Sequence, residues 1–87
     1  MIRIPETVIA SRLDGETVLL DTATGTYFGL DAVGSQIWEV LAQRGDRREI
    51  VSALLAHFEV SEEKLAADVA EFVRVLKEAG LIVVEDD

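Results

Sequence analysis

Residues 19–31, LLDTATGTYFGLD, hold the reading of this chain. An apolar run ends in Asp21, four small or polar residues close with Gly25, a second apolar run carries two aromatics, and Asp31 follows. Gly25 can take the left-handed backbone conformation that a tight turn needs. Two antiparallel strands are therefore expected, Thr17 to Asp21 and Thr26 to Leu30. Side chains alternate across a strand. Val18 and Leu20 then share one face and Leu19 the other; Tyr27 and Gly29 face one way, Phe28 and Leu30 the other.

Toward the N-terminus, Thr7 to Leu13 mixes β-branched and polar residues and ends at Asp14-Gly15. That dipeptide suits a type I′ hairpin turn, whose two central residues both need positive φ. The three runs make an antiparallel meander. Toward the C-terminus, Asp31 is placed to cap a helix with its carboxylate. Val33, Ile37, Trp38 and Leu41 recur at helical spacing, and the helix stops near Gly45. Asp46 and Glu49 have the spacing of a capping box. They open a second helix that turns Ile50, Val51, Leu54, Leu55 and Phe58 inward. Ser61 caps a third, where Glu62 and Glu63 suit the positive end of the helix dipole. The third helix buries Leu65, Val69, Phe72, Val73 and Leu76 and ends at Gly80. Leu81 to Val84 is extended, and Glu85, Asp86 and Asp87 are expected to run into solvent. Strands segregated from helices give an α+β fold. Its arrangement is winged-helix-like, a three-stranded antiparallel β-meander followed by three α-helices, with residues 1–87 as a single domain.

The totals narrow the function. A chain of 87 residues buries roughly 60–65% of its unfolded surface, which leaves little room for a deep pocket. There is no cysteine, so thiolate catalysis, disulfides and cysteine-held zinc are excluded. The N-terminus lacks the apolar run of a signal peptide, and no stretch approaches the ~20 apolar residues of a membrane span. The expectation is a cytoplasmic protein. A net charge of −9 opposes nucleic acid, which is bound by Lys and Arg displacing counterions, and opposes anionic membranes. It permits a basic peptide or protein face.

No residue set proposes a reaction. His57 is the lone histidine and falls near the edge of the second helix's apolar stripe. It can build neither a zinc site nor a nucleophile triad by itself. Gly25, Gly29 and Gly34 are not followed by the Lys of a phosphate loop. Asp68, beside Leu65 and Val69 on the third helix, reads either as a solvated flank or as a specific polar contact. Cofactors and metals are expected to be absent, and catalysis with them.

What remains is backbone. The third strand, Thr26 to Leu30, has no Pro or Lys to blunt its edge. Gly29 leaves out a side chain in its middle, which lets another backbone come close. Two readings stand at this point: an extended peptide adds here as a fourth strand, or the third helix covers the edge. A homodimer through the same edge is a third.

The string LLDTATGTYFGLDAVGSQIWEVL, residues 19–41, resembles the signature of the PQQ-biosynthesis protein D family in its broad sense. The shared elements are a strand ending in Asp, a Thr-Gly turn, an aromatic pair, Leu-Asn or Leu-Asp, Gly, then Ile-Trp. The likeness continues through AADVAEFVRVLKEAGLI, residues 66–82. Asp31 stands where Asn is frequent, and Asp caps as well. The resemblance implies a RiPP recognition element, a domain that binds the leader segment of a ribosomally made precursor peptide. The leader would add against the third strand, in a cleft bordered by the third helix. Carried over, the peptide-binding residues are Thr26, Tyr27, Phe28, Gly29 and Leu30 on the strand and Asp68, Val69, Phe72 and Val73 on the helix. Helical spacing alone does not fix which flank of that helix faces the cleft. The Thr-Gly-Tyr-Phe form looks most like the standalone N-terminal half of the split B protein of lasso-peptide clusters, which presents the leader to a separate peptidase. A peptide chaperone for a radical SAM enzyme, as in PQQ synthesis, is the alternative.

Overall fold

The computed structural model describes residues 1–85; Asp86 and Asp87, expected to run into solvent, lie outside the described residues. Its elements in order are β1 (Ile2–Arg3), β2 (Val8–Leu13), β3 (Glu16–Asp21), β4 (Thr26–Leu30), α1 (Ala32–Arg44), α2 (Arg47–Leu55), α3 (Glu62–Glu78) and β5 (Val83–Val84). The meander β2-β3-β4 is antiparallel throughout, with β4 on one edge. The turns form as their residues dictate. Asp14 and Gly15 have φ of 52° and 82°, and Gly25 has φ of 76°.

The helices begin on side-chain caps. The Asp31 carboxylate accepts from the Gly34 amide at 2.8 Å, and the Ser61 hydroxyl accepts from the Lys64 amide at 3.1 Å. Asp46 caps α2, but as half of the expected box: its carboxylate accepts from Arg48 N at 2.8 Å, and no bond returns from Glu49 among the described residues. At the end of α3, Gly80 N donates to Lys77 O at 3.1 Å and Leu81 N to Leu76 O at 2.9 Å. That pair is a Schellman motif, which satisfies two orphan carbonyls and turns the chain back.

One core unites the elements. Leu19 and Leu30 from the meander meet Ile37, Trp38 and Leu41 of α1, Ile50 and Leu54 of α2, and Leu65, Val69, Val73 and Leu76 of α3. Two expectations are corrected here. Val33 sits on the first turn of α1, outside the stripe that Ile37, Trp38 and Leu41 define, and is 53% exposed. The second helix ends at Leu55, so Phe58 lies beyond it, in the following segment, though it still packs on the core.

A second sheet also forms. β1 and β5 pair antiparallel, Ile2 with Val84 and Arg3 with Val83, bringing the two ends of the chain together. Met1 N donates to Glu85 O, and Glu85 N to Met1 O, each at 2.7 Å. This pair is seated on Gly45, whose carbonyl accepts from Ile2 N at 2.7 Å. Gly45 has φ of 72°, and a Cβ there would lie 3.0 Å from Ile2 O, so glycine is required on both counts.

Candidate functional site

The register of the meander determines which backbone groups of β4 are free. Leu13 and Glu16 close a two-residue loop and pair directly, so that pair exchanges its hydrogen bonds. Antiparallel partners alternate between bonded and non-bonded pairs. The N–H and C=O of Thr17, Leu19 and Asp21 therefore turn toward β4, where they meet Leu30, Phe28 and Thr26. The N–H and C=O of Tyr27 and Gly29 are left pointing away from the sheet. No turn, cap or side chain among the described residues bonds them. The opposite edge, β2, carries Arg12, which is tied to Glu39 of α1; β4 carries no charge.

Alongside this edge runs a cleft of about 210 Å³ between β4, the start of α1, and α3. Phe28, Leu30, Gly34, Phe72, Val75 and Leu76 give it an apolar lining, with Asp31 and Glu71 at the polar margin. Arg74 lies between Glu71 and Glu78 on the surface of α3 and pairs with both. Its guanidinium holds the Glu71 carboxyl below the usual glutamate range, chiefly through their hydrogen bond. A larger groove of about 450 Å³ runs between α2 and α3, lined by Arg47, Arg48, Val51 and Ala66 among others. Its walls are helices whose backbone is already bonded, so it lacks the free main-chain edge of the smaller cleft.

The structure distributes the residues expected at the site. Thr26 begins β4 with its hydroxyl accepting from Thr24 Oγ1 at 2.9 Å. Tyr27 is 70% exposed on the outer face of the sheet. Phe28 and Leu30 turn inward to the cleft, and Gly29 stands in the open, with nothing within 4 Å of an added Cβ. On α3 only Phe72 of the expected wall lines the cleft. Asp68 shares its flank one turn earlier, exposed, and takes both oxygens to Lys64 Nζ at 3.0 Å. Val69 and Val73 are 0% and 3% exposed and belong to the core. The helix turns Glu71, Val75 and Leu76 to the cleft in their place, and α1 adds Gly34. The sequence carried a signal for Val75, which continues the stripe of Asp68 and Phe72 at helical spacing, but nothing in it chose between the two flanks. His57 is exposed in the turn after α2, and the described residues hold no cluster of three or more His, Cys, Asp or Glu.

Around the corner, the outer face of the meander is unusually apolar. Ile9, Leu20 and Tyr27 lie side by side across the three strands, and Val18 pairs with Gly29 in the next rank. Ile9 and Leu13 are exposed. An antiparallel sheet normally shows polar residues on its free side.

Comparisons with known proteins agree with this architecture. The sequence profile of PqqD, coenzyme PQQ synthesis protein D, matches residues 16–82, from β3 to the threshold of β5. A solved structure of TbiB1 in complex with the TbiA(beta) leader peptide superposes with a TM-score of 0.87 and 41% identity, covering 98% of this chain and 99% of that one. A lasso peptide synthetase B1 complexed with its leader peptide gives a TM-score of 0.85 and 26% identity, over 94% of this chain and 96% of that one. A search of curated proteins finds no match.

Proposed function

The chain belongs to the PqqD family and is a RiPP recognition element of that family, and on that premise we propose that it captures the leader segment of a precursor peptide by strand addition and presents it to a separate processing enzyme. The observation that carries this reading is the open edge of β4. The N–H and C=O of Tyr27 and Gly29 are free, and an apolar cleft lies directly beside them. An added strand gains main-chain bonds along the edge, while every second side chain drops into the cleft. Both solved relatives are described as complexes with a leader peptide, which supports the same ligand class here. Residues 26–30 with Phe72 and Val75 form the proposed peptide site, and Asp68 extends its margin.

The chain's part is recognition; bond cleavage belongs to a partner, proposed as a leader peptidase of a lasso-peptide cluster. The exposed apolar outer face of the sheet supports a protein partner, because such patches mark contact surfaces. Amide hydrogen exchange tests the site directly. Adding the leader of a lasso-peptide precursor that the chain binds should protect the Tyr27 and Gly29 amides. Protection confined to α2 and α3, with β4 unchanged, would move the site to the other groove. Purified protein incubated with that precursor alone should return it intact.

A further inference from the structure

Gly34 is a costly residue where it stands. It lies inside α1, where glycine is about 1 kcal/mol less favourable than alanine, and its φ is not in the left-handed region that would require it. The reason is contact. A Cβ at Gly34 would lie 3.3 Å from Cε1 of Phe72, 3.3 Å from the capping oxygen of Asp31 and 3.5 Å from Cβ of Leu30. The edge of the Phe72 ring therefore occupies the space above Gly34, and Phe72, Leu30 and Gly34 are all walls of the cleft beside β4. Any side chain at position 34 would crowd the Phe72 ring, and since both residues line the cleft it would take volume from it. With about 210 Å³ in all, the cleft has little to lose.

We propose that Gly34 and Phe72 form a size gauge, which sets how large an apolar leader side chain the cleft admits next to β4. This inference rests on the strand-addition reading and adds the residue pair that would determine specificity within it. The argument is steric. The rest of the lining, Phe28, Leu30, Val75 and Leu76, is apolar, with the carboxylates of Asp31 and Glu71 only at the margin, so selection among apolar side chains inside it is by volume and shape. One missing methyl is worth a modest factor in such a pocket, which makes the expected effect graded.

The test uses the full chain and synthetic leader peptides that differ only at the anchor position, carrying Ala, Val, Leu or Phe. The unsubstituted protein should bind the Leu and Phe peptides at least tenfold tighter than the Ala peptide. Gly34→Ala should compress that range below threefold, the Phe peptide losing most and the Ala peptide least. Phe72→Leu in the Gly34→Ala background should restore part of the preference by returning volume. A purely structural role for Gly34 would weaken all four peptides by the same factor, and that outcome overturns the proposal, as does an unchanged ranking. If Gly34→Ala fails to fold, Phe72→Leu alone decides: it should shift preference toward the larger anchor, and an unshifted ranking overturns the gauge. If the unsubstituted protein binds none of the peptides, the strand-addition reading itself falls, a result distinct from a flat ranking among bound peptides.

Discussion

At the scale of single residues, two groups in the meander behave oppositely. The Gly29 amide points out of the sheet and has no partner, so it can be removed without touching the fold. Gly29→Pro deletes that N–H and sets the proline ring on the free side, where edge strands tolerate it. The melting temperature should move little. Leader affinity should fall about tenfold, near 1.4 kcal/mol, while Gly29→Ala, which keeps the N–H and meets nothing within 4 Å, should bind almost normally. A calorimetric titration of the three proteins compares them; equal affinity for the proline variant would place the leader elsewhere. Thr17 is the reverse case. It is 1% exposed, and its hydroxyl finds no partner among the described residues. A buried orphan hydroxyl costs ~1–3 kcal/mol. Thr17→Val keeps the shape and removes the penalty, so a thermal melt should rise by about 4–8 °C for each kcal/mol recovered. A fall would mean that the hydroxyl is satisfied after all.

At the scale of elements, local chemistry was legible wherever one or two residues determine a conformation. Asp14-Gly15 and Gly25 place the turns, Asp31 and Ser61 start helices, and Gly80 ends one; the structure has all of these. The second sheet was not legible, because β1 and β5 are two residues each and their pairing joins opposite ends of the chain. A pattern of two residues carries no period. Nor was the rotation of α3. Its apolar residues wrap a wide arc, and only packing against α1 and α2 decides that Val69 and Val73 go to the core while Phe72 and Val75 face the cleft. On that cleft-facing flank Glu71 supplies a titration test. Its pKa is lowered from 4.5 mainly by the Arg74 hydrogen bond. A lowered carboxylate pKa contributes stability that is present above the unfolded value and lost as pH falls through the folded one. In an NMR titration Glu71 should protonate below the ordinary glutamate range, and Arg74→Ala should bring it back. Both side chains are on the exposed surface, where solvent screens the pair, so the melting temperature should hardly follow.

At the scale of the whole molecule, the three-stranded meander has two distinct faces, and β4 is its edge beside the cleft. The inner face closes the core and the cleft. The outer face is left apolar, with Ile9, Leu20 and Tyr27 in one row and Val18 in the next. A leader added to β4 would extend both faces by one strand. Its alternate side chains would enter the cleft on one side and continue the outer apolar surface on the other. A partner docking on that outer surface would then meet the domain and its cargo together, which gives loaded and empty domains different surfaces without any change in backbone. The charge of −9 opposes self-association of such an apolar face by mutual repulsion. Ile9 separates the two roles, because it stands on β2, two strands away from the open edge. Ile9→Asp should leave the leader's dissociation constant within about twofold. Delivery to the processing enzyme should slow by at least tenfold, as expected when a charge is buried unpaired at the centre of an apolar contact. The two measurements are an anisotropy titration with labelled leader and a time course of precursor cleavage with enzyme added. Should Ile9→Asp deliver at the normal rate, the outer face is not the docking surface, and leader capture stands without it.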